Sequence, residues 1–362
     1  MRIVSVSENR SIEKRIAITP EIAKKYLALG FDVSLSEKYG DHLGFKDSDY
    51  KELGVKILND EKEILISADI IVQLGLPQED KTSYIKKNQT LIGILNPYLN
   101  KEQIDNLVKK NINTFSLDLL PRITRAQSMD ILSSQANLAG YKAVIESFAN
   151  FEKAVPMMMT AAGTIPAAKV LVVGAGVAGL QAIATAKRMG AIVFATDVRM
   201  ASKEQVESLG GKFLTVEGAE NLETEGGYAK ETSVDFKKKQ EELLGETLKK
   251  IDIVICTALI PGKKAPVIIK ESMIDNMRAG SIIYDLAAVQ GGNTAFSEVD
   301  KIINKDGVRI MGETNILNKL PISASNLYAK NVFNFVSNLY DKENKKININ
   351  LEDEIIEKTL IK

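Results

Sequence analysis

The sequence predicts an α/β protein with two domains, each built on a parallel β-sheet that helices cover on both faces. Three observations support this fold class. The chain has 362 residues, which is too long for one compact core and suits two domains. Short apolar runs alternate with helical stretches in the N-terminal third of the chain. The same alternation starts again after a long helical stretch in the middle.

The first of these two cycles begins at the N-terminus with the run RIVSVS, which predicts a strand. The run TPEIAKKYLALG predicts a helix, with Thr19 as N-cap, Pro20 at the first helical position and Gly30 as terminator. We expect further helices around EKEILIS and NKEQIDNLVKK, and further strands in FDVSLSE, ADIIVQLGLP, TLIGILNPY and INTFSLDLL. Because helices separate these strands, they are expected to pair in parallel.

Two long helical patterns flank the second cycle, MDILSSQANLAGYKAVIESFANF before it and SASNLYAKNVFNFVSNLY after it. KVLVVG predicts a strand, VAGLQAIATAKRMG a helix ending at Gly190, and AIVFATD, IDIVICTA, SIIYDLA and VRIMGET further strands. The polar segment GAENLETEGGYAKETSVDFKKKQ is the exception: we expect a mobile loop in its first half and a helix in its second. Periodicity alone therefore gives two α/β halves and two long helices.

Composition excludes several classes of function. Lys plus Arg and Asp plus Glu both number 47, so no net charge would draw the chain to nucleic acid or to an anionic membrane surface. Cys256 is the only cysteine and lies in an apolar run, which predicts a buried side chain and no disulfide. The N-terminus becomes charged too early for a signal peptide. The apolar tract from Val170 to Ala186 contains glycines and Gln181, so we predict a strand, a turn and a helix start there and no transmembrane segment.

A glycine-rich turn predicts a dinucleotide site of the Rossmann type. Val170 to Val173 lead into Gly174, Gly176 and Gly179, and a helix follows. In this motif the first glycine permits the tight turn, the second lets the pyrophosphate approach the backbone, and the third lets helix and strand pack closely. The phosphates would bind at the N-terminus of the helix.

The end of the next strand indicates which dinucleotide binds. Asp197 lies there, where its carboxylate can accept hydrogen bonds from the adenosine ribose. A 2′-phosphate would be repelled by this charge, so NAD is favoured over NADP. Arg199 leaves two alternatives open, because it could pair with Asp197 or lie against a phosphate.

The segment PRITRAQSMDILSSQANLAGY, from Pro121 to Tyr141, places arginines, a glutamine, an aspartate and hydroxyls in a short stretch before a helix. On composition alone this is a solvated loop, with Asp130 as the N-cap of the helix.

That segment resembles the signature loop of domain I, the NAD(H)-binding component of proton-translocating NAD(P) transhydrogenase. The stretches PMMMTAAGTIPAAKVLVVGAGVAGLQAIATAKRMGA, ATDVR, KEQVESLGGKF, EGGYAKE and TALIPGKKAPVII are similar as well, so the resemblance covers nearly the whole chain. It implies two Rossmann-like domains linked by the two long helices. The NAD-binding domain, residues 134–321, would be inserted in an N-terminal α/β domain of residues 1–133 plus 322–362.

The resemblance also implies roles for individual residues. Arg122, Gln127 and Asp130 match the family's Arg-Gln-Asp loop beside the nicotinamide, with Ser133 at the matching place. Gln127 would reach toward the partner's nucleotide, while Asp130 and Ser133 would hold the carboxamide and ribose. Tyr228 matches the tyrosine of a mobile loop that closes over bound nucleotide. The remaining implied nucleotide contacts are Ser128, Met129, Ala175, Gly176, Val177, Val198, Gly227, Gln240 and Leu259, together with Gly174, Gly179, Asp197 and Arg199; no metal ligands are implied.

Alanine dehydrogenase, which resembles this family in fold, is the main alternative. Both share a stretch like EKRIAITP, in which Arg15 could bind a substrate. The dehydrogenase, however, uses a lysine and a catalytic histidine where this chain has QLGLP and ILNPY, with Gln73, Gly75 and Asn96. A histidine-dependent oxidation is therefore disfavoured, and Arg15 is predicted to be structural. His42, the only histidine, lies in a polar stretch and is predicted to be a surface residue.

A nucleotide sensor without turnover is a third interpretation, but a sensor has no need of the Arg-Gln-Asp loop. The resemblance implies a transhydrogenase alpha subunit, in which NADH bound here passes hydride to NADP⁺ on a partner subunit while the membrane domain translocates protons. It further implies a homodimer, an NADP(H)-binding beta subunit and a membrane-spanning subunit as partners. The chain would be cytoplasmic and attached to the inner membrane through them.

Overall fold

The computed structural model describes residues 1–216, 234–260 and 263–362, without the side chains of residues 234–237. Its strands are β1 (Arg2–Ser5), β2 (Asp32–Ser36), β3 (Lys56–Leu58), β4 (Ile70–Val72), β5 (Thr90–Gly93), β6 (Asn113–Ser116), β7 (Met158–Thr160), β8 (Gly163–Ile165), β9 (Lys169–Val173), β10 (Ile192–Thr196), β11 (Lys212–Phe213), β12 (Ile253–Cys256), β13 (Ile282–Asp285), β14 (Ile302–Lys305), β15 (Val308–Met311), β16 (Tyr340–Asp341), β17 (Lys346–Ile347) and β18 (Leu360–Ile361).

The α-helices are α1 (Pro20–Ala28), α2 (Asp47–Leu53), α3 (Glu61–Ile66), α4 (Glu79–Thr82), α5 (Lys101–Lys109), α6 (Ile131–Asn150), α7 (Val177–Arg188), α8 (Ser202–Ser208), α9 (Val234–Leu248), α10 (Glu271–Ile274), α11 (Pro321–Leu339) and α12 (Glu354–Thr359). Short 3₁₀ helices occur at Asp41–Leu43, Leu117–Leu119, Thr124–Met129, Ala288–Gln290 and Ile316–Lys319. Within the described ranges, none of these helices is long and apolar enough to cross a membrane.

The chain forms two compact units. The first comprises Met1–Gln135 and Leu320–Lys362, and the second comprises Ala136–Lys319. Each contains one seven-stranded sheet that is parallel except at one edge, which confirms the predicted fold class. The antiparallel edge strands, β18 beside β6 and β14 beside β15, were not predicted.

In the first unit the strand order is β18-β6-β5-β4-β1-β2-β3. From β1 the chain first builds β2 and β3 on one side and then β4, β5 and β6 on the other, so the topology reverses between β1 and β4. Side chains that alternate along β1 enter different apolar clusters, Ile3 one and Val4 the other. Both faces of the sheet are therefore covered, as expected for a parallel sheet.

In the second unit the order is β11-β10-β9-β12-β13-β15-β14, and the topology reverses between β9 and β12. Along β9, Val170 and Val172 pack in one apolar cluster and Leu171 and Val173 in another. Cys256 is fully buried in β12, as predicted, and burial raises the pKa of its thiol well above the ordinary value.

The ends of several elements differ from the prediction. Thr19 does precede α1 and Pro20 does begin it, but the Thr19 hydroxyl is buried and makes no capping bond, because the side chain packs into the core. Gly30 ends the helix with φ of +90°. The strand predicted in ADIIVQLGLP stops at Val72, and the side-chain oxygen of the next residue, Gln73, accepts from the Ser5 hydroxyl and the Val6 N–H.

Candidate functional site

The glycine turn lies at the carboxyl end of β9, where the topology of the second sheet reverses. Gly174 has φ of +92°, and a Cβ there would lie 2.9 Å from Thr257 Oγ1. A Cβ on Gly179 would lie 1.9 Å from the Gly174 carbonyl oxygen. Both positions therefore require glycine, one for its dihedral angle and both for close packing.

Gly176 fulfils a different requirement, since a Cβ there would meet nothing within 4 Å. That open space leaves room for a ligand against the backbone. The α7 helix starts at the next residue, Val177, and the N–H groups of its first turn have no partner within the helix. A dinucleotide pyrophosphate fits this arrangement, because the N–H groups and the positive end of the helix dipole both favour an anion.

Asp197, beyond the end of β10, is linked to the turn by a hydrogen bond. Its Oδ2 accepts from the Ala175 N–H at 2.7 Å and from Arg199 Nη2 at 2.7 Å, and its Oδ1 accepts from the N–H and Nε of Arg199 at 2.9 and 2.8 Å. Burial alone would raise the pKa of this carboxyl, but the hydrogen bonds and charge of Arg199 lower it below its ordinary value. Of the two alternatives for Arg199, the structure shows pairing with Asp197.

The residues that follow β12 lie against the glycine turn. Thr257 Oγ1 donates to the Gly174 carbonyl oxygen at 2.9 Å. The buried Asn293 side chain holds the next residue, Ala258, accepting from its N–H at 2.9 Å and donating to its carbonyl oxygen at 2.8 Å. This anchoring places Leu259, one of the implied contacts, directly after a fixed peptide.

Asn293 and the residue that holds it were not found from the sequence. Asp285 ends β13, is fully buried, and accepts from the N–H groups of Asn293 and Thr294 at 2.6 and 3.2 Å. Neither residue belongs to a recognisable motif. The sequence offered one signal for Asp285: it is an aspartate at the carboxyl end of an apolar strand. Asp197 has the same kind of position.

The polar loop of the first unit forms a separate concave pocket of about 350 Å³. Its lining contains four of the predicted residues, Arg122, Gln127, Asp130 and Ser133, together with Pro121, Ile123, Thr124 and Ala126. Asp130 is the N-cap of α6, as composition suggested, since its carboxylate accepts from the N–H and Oγ of Ser133 at 2.9 and 2.5 Å. Capping therefore fixes both side chains at the pocket wall.

Helix α11 and buried side chains hold this loop in place. The Ser128 carbonyl oxygen accepts from Asn331 Nδ2 at 2.8 Å and from Asn334 Nδ2 at 2.9 Å. Met129 is buried in the core, so the structure places its side chain inside the unit, whereas Arg122 and Gln127 are exposed. Within the described ranges, no hydrogen bond to the Gln127 amide group is found, so it can bind a ligand.

The other predicted residues are more dispersed. Val198 is half-buried beside Asp197, and Gln240 is half-buried on α9. Gly227 and Tyr228, with the first half of the predicted mobile loop, lie outside the described residues. Among the residues that the structure describes, no three His, Cys, Asp or Glu side chains are grouped so as to hold a metal ion.

The residues of the alternative interpretation have partners within the first unit. Arg15 donates to Glu13 through Nε at 2.8 Å and Nη2 at 2.7 Å, and to Gln135 Oε1 at 2.8 Å. Its guanidinium is thus committed to neighbouring side chains. His42 is exposed, with Nε2 2.7 Å from the Lys14 carbonyl oxygen.

Known protein families match both parts of the chain. Residues 5–139 match the family model "Alanine dehydrogenase/PNT, N-terminal domain", and residues 143–362 match "Alanine dehydrogenase/PNT, C-terminal domain". An NAD(P) transhydrogenase alpha-subunit protein from Rhodospirillum rubrum is 48% identical over 100% of this chain and 96% of its own length. The chain belongs to the NAD(P) transhydrogenase alpha-subunit family. This confirms the predicted resemblance.

Solved structures extend the comparison to the fold. A transhydrogenase from Sinorhizobium meliloti superposes with a TM-score of 0.89 and 43% identity, covering 99% of this chain and 97% of its own. An L-alanine dehydrogenase has a TM-score of 0.83 at 21% identity, covering 99% of this chain and 94% of its own, and so shares the fold. Transhydrogenases and alanine dehydrogenases bind NAD(H), which confirms the predicted cofactor.

Proposed function

We propose that this transhydrogenase subunit binds NADH and passes its hydride directly to NADP⁺ bound on a partner subunit. The observation that carries the proposal is the pocket lined by Arg122, Gln127, Asp130 and Ser133. When bound, the nicotinamide supplies the hydride. The protein's task is to orient the ring and exclude water, since transfer between two nicotinamides requires no general acid or base.

Each group of residues would serve part of this task. The turn from Gly174 to Gly179 and the N-terminus of α7 would bind the pyrophosphate. Asp197 would accept the ribose hydroxyls, for which Arg199 must release at least one carboxylate oxygen. In the loop, Asp130 and Ser133 would hold the carboxamide and ribose, while Gln127 remains exposed to reach the partner's nucleotide.

The proposal predicts that the purified chain, mixed with the NADP-binding domain of a transhydrogenase, will reduce an NADP analogue at the expense of NADH. The measurement is the rate of analogue reduction, with binding of both nucleotides checked separately. No transfer while both nucleotides are bound would refute the proposal. Oxidation of NADH by pyruvate and ammonium would instead indicate an alanine dehydrogenase.

We also propose that the chain works as a homodimer, peripheral to the cytoplasmic face of the membrane, with beta and membrane-spanning subunits that couple hydride transfer to proton translocation. A β-hairpin supports the dimer. Among the strands that the structure describes, β7 and β8 pair with each other and with no third strand, and Met157 and Met159 are 63% and 77% exposed. A two-stranded ribbon is marginal by itself, and an exposed apolar surface of adaptable methionines is typical of an interface.

The double variant Met157→Glu/Met159→Glu is therefore expected to weaken the dimer about 30-fold or more, since buried charges at an interface centre cost at least about 2 kcal/mol. Light scattering over a concentration series measures the effect. Ile302→Glu, an equally exposed apolar position on edge strand β14, is the matched control. A hairpin variant that stays as dimeric as this control would contradict the assignment.

A further inference from the structure

The first unit has a pocket that the transhydrogenase proposal does not use. Seven strands run β18-β6-β5-β4-β1-β2-β3, and the topology reverses between β1 and β4. A cavity of about 260 Å³ opens at the carboxyl ends of these two strands, lined by residues that follow each of them. In open α/β sheets this position is where ligands bind. The second unit has its glycine turn at the equivalent point.

Glu8 is the chemically distinctive group in this pocket. Its Oε1 accepts from the Leu74 N–H at 2.8 Å and from Gln73 Nε2 at 3.1 Å. Within the described ranges, its second oxygen has no hydrogen bond or ion pair. Burial raises the pKa of this carboxyl to about 7. A carboxyl with a perturbed pKa and an unpaired oxygen in a concave site is a candidate binding group.

The other charged groups around Glu8 are already paired. Glu13 binds Arg15, with Nη2 to Oε2 at 2.7 Å. Lys81 on α4 binds Glu61 at 2.7 Å and the Ser7 carbonyl oxygen at 3.2 Å. Tyr39 and Tyr328 also lie near Glu8, and burial raises the pKa of both hydroxyls so that they stay neutral. Among the described residues, no cation contacts the second oxygen of Glu8 directly, and the charges of Arg15 and Lys81 reach it only from a distance, while both groups are paired elsewhere.

We propose that this pocket binds a small molecule carrying a primary ammonium group, which pairs with the second oxygen of Glu8. The apolar part of the ligand would lie against Ile12, Leu76 and Pro77, which also line the cavity. The volume is below the roughly 300–1,000 Å³ of pockets for drug-sized ligands, so the ligand must be short. A carboxylate ligand is disfavoured, because Arg15 and Lys81 are committed and Glu8 would repel it.

The affinity should depend on pH. The ligand binds the ionised carboxylate, and an alkylammonium stays charged throughout this range, so the affinity should rise about tenfold between pH 6 and pH 8 as Glu8 loses its proton. Opposite behaviour, with tighter binding at pH 6, would show that the neutral carboxyl is the binding form and would overturn the proposal.

The test uses n-butylammonium chloride as the probe, followed by saturation-transfer NMR on the full chain, with n-butanol at equal concentration as the neutral analogue. Glu8→Gln keeps an acceptor for the Leu74 N–H but removes the charge, and should weaken butylammonium binding at pH 8 at least tenfold. Gly75→Leu keeps the charge but fills the cavity, since a Cβ at Gly75 meets only the Ile94 carbonyl oxygen at 3.9 Å. It should abolish binding.

Glu52→Gln, at an exposed position on α2, is the matched control and should bind like the unchanged protein. NADH affinity should stay the same in all three variants, so this result is independent of the transhydrogenase assay. Equal binding of butanol and butylammonium, or undiminished binding by Glu8→Gln, would overturn the proposal. So would the absence of binding to the unchanged chain at pH 8.

Discussion

Gln127→Asn is expected to slow hydride transfer about 100-fold while the affinity for NADH changes less than threefold. Gln127 lies on the 3₁₀ helix Thr124–Met129 with its backbone fixed and its amide group exposed. Asparagine keeps the amide but withdraws it by one methylene, and a displacement of about 1 Å in the reacting geometry can cost about 10²-fold in rate. Stopped-flow transfer to an NADP analogue and a separate NADH titration measure the two quantities.

Gln103→Asn is the matched control, because Gln103 is an exposed glutamine on α5 of the same unit. It should leave both the rate and the affinity unchanged. If Gln127→Asn instead loses NADH affinity in proportion to rate, the loop is a binding clamp and Gln127 does not bridge to the partner's nucleotide.

The sequence predicts best where one residue type has one physical use. Gly174 and Gly179 could be interpreted from spacing alone, because a Cβ at either place would collide with neighbouring atoms. Asp130 was likewise recognisable as an N-cap. The alternation of strands with helices predicted both parallel sheets. Both faces of such a sheet are buried, so neighbouring strand residues such as Ile3 and Val4 are both apolar.

Interactions between distant residues could not be predicted in this way. Asn293 fixes Ala258 across 35 positions of sequence, and Ser128 is held by residues of α11 more than 200 positions away. Glu8 belongs to no motif that the sequence reveals. Its raised pKa comes from burial, which exists only in the folded chain. Edge strand β18, only two residues long, lacks the length that periodicity requires.

Asp197 was predictable in its position but not in its contacts. Its position at the end of a strand suggested a ribose ligand, but not that all its acceptor sites would be filled by the protein. A carboxylate has about four lone-pair sites, and here Ala175 and Arg199 provide four donors. If Asp197 binds the ribose as proposed, the ribose diol would replace Arg199 guanidinium donors on this carboxylate. Removing the carboxylate would release those donors from Asp197, and a 2′-phosphate could then accept from them.

Asp197→Ser is accordingly expected to weaken NADH binding about 10- to 100-fold, the value of a charge-assisted hydrogen bond of about 1.5–3 kcal/mol. It should also tighten NADPH binding about tenfold or more, because the repulsion disappears and Arg199 can pair with the phosphate. Fluorescence titration of both nucleotides measures the change in preference. The expected gain in NADPH affinity depends on Arg199, so the double variant Asp197→Ser/Arg199→Ala should lose it.

The single variant Arg199→Ala separates the two roles of the arginine. If Arg199 only occupies the acceptors of Asp197, its removal should leave NADH affinity unchanged or increase it, because the ribose no longer has to displace the guanidinium. A fall of tenfold or more would mean that Arg199 contacts the bound nucleotide, and the ion pair seen in the structure would then be a resting position from which the guanidinium moves to the ligand. In that case the non-additivity of the double variant gives the coupling energy between Asp197 and Arg199 directly.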